Sequence, residues 1–240
     1  MAGSETKLTQ TRPERMVAVV SEPDLPGATP RFNASFIRRW VRASAAQIEA
    51  NRDFLTQLDA AIGDADHGVN MDRGFGASVV DLEVESELGP GELLTRVGTT
   101  LVYRVGGAAG PLYGTMFRQA GAVLSEATFD AEDLLKALRA GLDGIQGLGA
   151  AVEGDKTIVD AYLPALQAFE RALRAGDDVA SAGRSAAEAS HEGMRATIPL
   201  QARKGRASYL GPRSVGHQDP GATSTSLLFV ALASVTSGAP

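Results

Sequence analysis

An all-α fold of eight helices is the class this sequence predicts, and three observations point there. Apolar residues recur every three or four positions through most of the chain, the spacing that lines one face of a helix. Alanine, leucine and glycine are plentiful while aromatic residues make up only 5%, a balance that favours close-packed helices over sheets of β-branched and aromatic side chains. No stretch alternates between apolar and polar residues long enough to build a sheet, and no fixed-period repeat divides the chain. With 240 residues, 44% of them hydrophobic, the chain suits one domain with a substantial core.

Residues 1–31 mix charges with Pro13, Pro23, Pro26 and Pro30 and show no period, which predicts a poorly ordered extension ahead of a domain over 32–240. Phe36, Ile37, Trp40, Val41, Ala45, Ile48, Phe54, Leu55 and Leu58 mark one long amphipathic helix that Gly63 can stop. A short second helix covers 70–80, and a third over 91–105 carries Leu94, Val97, Leu101, Val102 and Val105 on one face. Pro111 suits the first turn of a fourth, where the donor it lacks has no intrahelical partner. Asp130 caps a fifth, containing Leu134, Leu135, Leu138, Leu142 and Ile145, that fades into the glycines of 144–149. Asp155 is placed to cap a sixth, with Ile158, Val159, Tyr162, Leu166 and Phe169, which Pro164 should bend. An alanine-rich seventh covers 179–196. Residues 197–221 are punctuated by prolines and glycines, as in a functional loop, before a last helix over 222–235.

The net charge of −6 argues against nucleic acid or an anionic membrane as partner, since both require a cationic surface. Without cysteine, disulfides, thiolate nucleophiles and Cys-based zinc sites are excluded, so any metal sits on oxygen or imidazole. The longest apolar run, 227–233, is far short of the ~20 residues a membrane helix needs. The default location is the cytoplasm.

The segment LDAAIGDADHGVN gathers Asp59, Asp64 and Asp66 in one short reach. Two carboxylates about 4 Å apart repel by roughly 4 kcal/mol at an effective dielectric near 20, so convergence calls for a proton or a cation. Asp64 and Asp66, two apart in an extended loop, can point the same way, and an all-oxygen set suits Mg²⁺ bridging carboxylates to phosphates. Ordinary turn aspartates, one of them capping the next helix, have the same spacing. A calcium EF-hand does not: counted from Asp64, its glycine and glutamate positions hold Val69 and Phe75. The following His67, Gly68, Val69 and Asn70 open a helix whose exposed N–H groups favour an anion.

Three further stretches could face a ligand. GGAAGPLYGT, 106–115, is either a main-chain phosphate contact or a tight helix–helix turn. GDKT, 154–157, lacks the full P-loop pattern, and no GxGxxG occurs. The segment 201–224 carries Arg203, Lys204, Arg206 and Arg213, suited to phosphate or simply solvated, and ends in the sharp turn Asp219-Pro220-Gly221.

Taken together in this order, LDAAIGDADHGVNMDRGF, GGAAGPLYGT, GDKT and KGRASYLGPRSVGHQDPGATS resemble the nucleotide-binding L subunits of dihydroxyacetone kinases, from about Phe32 to the C-terminus. The resemblance implies an antiparallel, barrel-like bundle of eight helices holding ADP or ATP and two Mg²⁺ at one end. It implies metal ligation by Asp59, Asp64 and Asp66, and nucleotide contacts at His67, Gly68, Val69 and Asn70, at Ala108 and Ala109, and at Arg206, Asp219, Pro220 and Gly221. Gly149 and Ile158 lie near the adenine by the same likeness, and Arg206 joins the aspartates in catalysis. As partners it implies a sugar-binding K subunit, an M-type phosphocarrier of the phosphotransferase system that recharges ADP from phosphoenolpyruvate, and a homodimer within that complex. Related alternatives are an ATP-dependent kinase for another short ketose such as erythrulose, or for a fatty acid, and a non-catalytic ADP-binding regulator. One departure stands out: GGAAGP replaces the usual GGASGP, so Ala109 lacks a hydroxyl that could meet a phosphate.

Overall fold

The structure, a computed structural model, describes residues 31–84 and 87–238; the extension expected over 1–31 falls, but for Arg31, outside the described residues. Helices α1 (Ala34–Ala50), α2 (Arg52–Ile62), α3 (His67–Val84), α4 (Pro90–Arg104), α5 (Ala109–Ala122), α6 (Ala131–Gly149), α7 (Ile158–Arg174), α8 (Val179–Ala196) and α9 (Pro220–Thr236) account for most of them. The all-α class stands. Two-residue strands β1 (Phe32–Asn33) and β2 (Thr128–Phe129) pair antiparallel, and a 3₁₀ helix, Arg206–Ser214, lies within the loop before α9.

Eight helical arms form the wall. α1 packs on α3, each helix from α3 onward packs on the next, and α9 returns to α1, closing the ring. Short links join α4 to α5 and α7 to α8, which makes those pairs antiparallel. α2 continues the α1 arm against α3 and α9, so the long first helix of the sequence reading is one arm broken in two. The break is Asn51, whose ψ of 9° leaves the helix while its side-chain amide donates to the Gln47 carbonyl at 2.8 Å. An asparagine amide competes for backbone groups in this way. Beyond the break the apolar stripe shifts: Leu55 is buried but Phe54 is exposed, as is Val102 on α4, and both depart from the expected core.

Three other boundaries differ from the sequence reading. α3 is longer than 70–80 at both ends. α6 continues through its glycines because Gly141 and Gly144 lie against Met116, Thr115 and Gln119 of α5, so those glycines permit close packing instead of ending the helix. α7 is capped by Thr157, with Asp160 completing a capping box, and not by Asp155, which accepts from the Val152 amide at 3.0 Å. It continues through Pro164.

Inside the ring, Phe36 meets Phe32 and Phe129 with ring centroids 4.6 and 5.6 Å away, and Trp40 meets Phe117 at 5.6 Å. The Trp40 indole donates to the Leu228 carbonyl at 3.1 Å, tying α1 to α9. α4 and α5 approach backbone to backbone: a Cβ on Gly91 or Gly121 would collide with the main chain opposite. At the other end of the pair a Cβ on Gly110 would strike the Val105 carbonyl, so the turn 105–108 is held close at one end of the barrel. No helix among the described residues is long and apolar enough to cross a membrane.

Candidate functional site

A cavity of about 470 Å³ opens at that end. Four helices begin on its wall, with His67 of α3, Ala109 of α5, Ile158 of α7 and Pro220 and Gly221 of α9 all lining it. Three of these N-termini already carry side-chain caps, with a hydroxyl at α7, where Thr157 Oγ1 accepts from the Val159 amide at 3.2 Å, and carboxylates beside all three. Asp59, near the C-terminal end of α2, accepts from the backbone amides of Asp66 (2.9 Å) and His67 (3.1 Å). Asp160 accepts from the Thr157 amide at 2.6 Å, and Asp219 from the Ala222 amide at 2.7 Å. Of these four, α5 alone begins without a side-chain cap, behind Gly107 at φ +64°. Its first N–H groups are therefore the free donors for an anion. The donors expected at 67–70 are partly engaged by Asp59, a correction to the sequence reading.

Asp59 is 7% exposed, while Asp64 and Asp66 stand at the surface. One carboxylate oxygen from each of the three lies within 4.8 Å of the others. Ala65, between the last two, has φ +62°, so a left-handed turn rather than an extended loop joins them. That conformation costs a non-glycine residue roughly 1 kcal/mol. Gly63 is required beside it, because any Cβ there would strike the Asp59 carboxylate. The nearest cation is Arg206, whose Nη2 lies 3.0 Å from Asp64 Oδ2. One guanidinium leaves three acids undercompensated, and an all-oxygen set with this reach fits Mg²⁺, which keeps several of its own waters.

Of the other site residues singled out from the sequence, Ala108, Ala109, Gly149, Ile158, Arg206, Asp219, Pro220 and Gly221 line the cavity. Gly68, Val69 and Asn70 do not. Gly68 is buried where α3 crosses α2, with no room for a Cβ against the Arg52 carbonyl, and Val69 faces out. Asn70 is buried against Gly106 and accepts from Arg73 Nη2 at 2.6 Å. Leu112, Ile145 and Leu148 give the end near Gly149 and Ile158 an apolar wall suited to a flat, uncharged ring.

Beneath these surfaces lies a polar layer that sequence reasoning missed. The Tyr113 hydroxyl sits 2.7 Å from Ser224 Oγ and 2.8 Å from Thr225 Oγ1, and His67 Nε2 is 2.9 Å from the same Ser224. The starts of α3, α5 and α9 are thus linked through one serine. Burial keeps the Tyr113 phenol protonated. Burial also lowers the His67 pKa, against the pull of Asp59, Asp66 and Asp64 and the Pro220 carbonyl. Asp219 is pushed up to about 7, first by burial and then by Asp160, while the Ala222 amide and Lys156 oppose the rise. Lys156 is itself buried, which lowers its pKa against the attraction of Asp219 and Asp160.

Known proteins share much of this sequence and its fold. The DAK2 domain family matches residues 61–234. The PEP-dependent dihydroxyacetone kinase ADP-binding subunit DhaL of Escherichia coli (strain K12) is 41% identical over 82% of this chain and 94% of its own length. That of PEP-dependent dihydroxyacetone kinase 1 from Listeria innocua is 38% identical over 84% and 96%. Among solved structures, the dihydroxyacetone kinase from C. freundii in complex with AMP-PNP and Mg²⁺ superposes with a TM-score of 0.66 at 25% identity, covering 92% of this chain and 38% of that one. The present chain thus spans a little over a third of that kinase. The match over most of the sequence, and the length this chain shares with those relatives, place it in the DAK2 domain family.

Proposed function

We propose that residues 32–240 form the nucleotide-binding subunit of a dihydroxyacetone kinase of the phosphoenolpyruvate-dependent type. The observation that carries this reading is the cavity itself, whose lining combines three aspartates within 4.8 Å of one another with an apolar wall. That shape matches an adenine nucleotide with its polyphosphate turned toward the acids. The relatives named ADP-binding and the kinase solved with AMP-PNP and Mg²⁺ support the same ligand.

Asp59, Asp64 and Asp66 are the residues that would hold two Mg²⁺, and the ions would neutralise phosphate charge when bound. Asp59 is pinned by its two backbone amides, so its carboxylate is oriented before any ligand arrives. The uncapped start of α5, with Ala108 and Ala109, donates N–H groups to phosphate oxygens. Arg206, free to leave Asp64 once that carboxylate is otherwise engaged, stabilises charge on the group in transit. Ile158, Leu112 and Ile145 exclude water from the base. Positioning and electrostatics supply most of the rate in phosphoryl transfer, so no general base is needed from this chain.

The acceptor hydroxyl belongs to a short ketose held by a separate K-type subunit. Phosphate returns to the resident ADP from phosphoenolpyruvate through an M-type phosphocarrier, with two copies of this chain in the complex and all of it in the cytoplasm. The test is a reconstitution. The purified chain is unfolded and its released nucleotide weighed by mass spectrometry. Intact chain is then mixed with a K-type subunit, dihydroxyacetone and either phosphoenolpyruvate plus phosphocarrier or ATP alone. Retained ADP and ketose phosphate formed from phosphoenolpyruvate are expected. Turnover from ATP alone at an equal rate would overturn the donor assignment, and no ketose phosphate under either condition would overturn the kinase reading.

A further inference from the structure

The GDKT segment places a positive charge where water cannot reach it. Lys156 is 1% exposed, and its Nζ donates to the carbonyl oxygens of Thr197 (2.9 Å), Leu200 (3.1 Å), Ser214 (2.8 Å) and His217. An ammonium has three N–H groups, yet four carbonyls surround this one and no carboxylate is a direct partner. Such a cage is the environment proteins give to a bare monovalent cation, whose hydration shell is replaced by main-chain oxygens.

The acceptors fall in two pairs that bracket residues 201–213, the segment that brings Lys204, Gly205 and Arg206 onto the cavity wall. Other bonds close the same neck: the Gly216 amide to the Ile198 carbonyl at 2.8 Å, and the Ala202 amide to Ser214 Oγ at 2.9 Å. Beyond the neck the loop rests on a small apolar cluster of Ile62, Ala202 and Ala207 and on the exposed Arg206–Asp64 pair. The Arg203 amide also donates to the Asp155 carbonyl at 3.1 Å and its guanidinium lies 4.0 Å from the Asp155 carboxylate, which ties the loop to the residue beside Lys156. Lys156 also sits at φ +64°, a conformation glycine adopts more readily. A lysine thus occupies a position whose backbone favours glycine.

We propose that Lys156 is a positioning residue, a tethered cation whose charge gathers the carbonyls at the neck of the 201–213 loop and thereby sets Arg206 and Lys204 over the phosphate end of the cavity. Its four-carbon stem could instead act only as packing, and the experiment separates charge from volume. Lys156→Gly suits the left-handed backbone and opens the channel of the side chain; Lys156→Met keeps the volume and removes the charge. n-Butylammonium replaces what Lys156→Gly deletes, and n-butanol matches its stem without the charge.

The first measurement is independent of nucleotide: the rate of tryptic cleavage after Arg203, Lys204, Arg206 and Arg213, with helical content followed by circular dichroism. Both variants should remain helical and be cleaved roughly ten- to hundredfold faster, the factor set by loss of hydrogen bonds to a charged donor. n-Butylammonium, and not n-butanol, should restore protection to Lys156→Gly. The second measurement is affinity for ADP with Mg²⁺, which should fall and recover in step with protection. That step rests on the proposed function: a wild-type chain that binds no ADP overturns the nucleotide reading, while the cleavage data still decide the role of Lys156. Unchanged cleavage in Lys156→Met, rescue without preference for the charged compound, or loss of helical signal in both variants overturns the proposal.

Discussion

Two concentrations of charge border the cavity and are balanced in opposite ways. At the rim, the exposed Asp64 and Asp66 converge on the buried Asp59 with one guanidinium beside them. Across the cavity Asp160 and Asp219 are buried near the enclosed ammonium of Lys156. A buried charge needs compensation at all times, because leaving it unpaired in a poorly solvated interior is strongly unfavourable. A rim carboxylate is screened by water and salt until something better arrives. The buried cluster therefore carries its own cation permanently, whereas the rim cluster is suited to a cation that comes and goes with its ligand. That contrast separates the part of the site that reacts from the part that holds it in shape.

The largest effect expected from this contrast is on ligand binding. Asp64→Ala removes a rim ligand that supports no backbone group, so affinity for ADP with Mg²⁺, measured by titration calorimetry, should drop by more than about a hundredfold, or ~3 kcal/mol, at unchanged helical content. Wild-type affinity in this variant would remove the aspartate corner from the binding site.

On the buried side the expected signature is a pH dependence. Burial pushes the Asp219 carboxyl from 3.8 up to about 7, so the folded chain holds that proton over a range where the unfolded chain releases it. Its contribution is fully present below about pH 4 and is lost as pH rises through about 7. Between pH 5 and pH 7 the change amounts to roughly 2–3 kcal/mol. Asn caps a helix as well as Asp, so Asp219→Asn should become more stable relative to wild type as pH rises across that window. Parallel urea midpoints for the two chains at every pH would show that Asp219 does not titrate there.

The rim itself is not uniform, and the third expected effect is smaller. Asp59 accepts two amides at the start of α3, so Asp59→Ala should lose about 1–3 kcal/mol of stability in EDTA by leaving those donors unpaired. Asp66→Ala should lose nothing and can gain, because mutual repulsion falls. Thermal melts that rank the two variants the other way would place the structural duty on Asp66.

Much of this was legible before any coordinates, and the exceptions share a cause. The all-α class, the helix over 179–196, the Asp130 cap and the aspartate trio follow from patterns carried by neighbouring side chains. The break at Asn51 was hidden because Ile48 and Leu55, one heptad apart, keep an apolar spacing across it. Lys156 drew notice only within GDKT, and its role stayed hidden because its acceptors are backbone carbonyls of distant residues, which any residue type can supply. The Tyr113–Ser224–His67 chain was equally invisible, since only the folded ring brings α3, α5 and α9 to one point. The apolar wall of the cavity comes from residues that in sequence are ordinary core positions.

The smallest effect concerns the one helix start on the cavity wall that neither cluster satisfies. α5 opens at Ala109 with no side-chain cap, and Ala109 lies on the cavity wall between Gly107 and Pro111. Proline contributes no N–H, so the donors here are few, and an alanine adds none. Ala109→Ser places one hydroxyl at this rim without disturbing the backbone, since serine is tolerated in the first turn of a helix. One added neutral hydrogen bond is worth roughly 0.5–1.5 kcal/mol, so the variant should bind ADP about two- to tenfold more tightly. Adenosine, which has no phosphate, should bind both chains equally. A gain shared by adenosine would mean that the new hydroxyl meets the sugar or base, and that the polyphosphate lies elsewhere than at the start of α5.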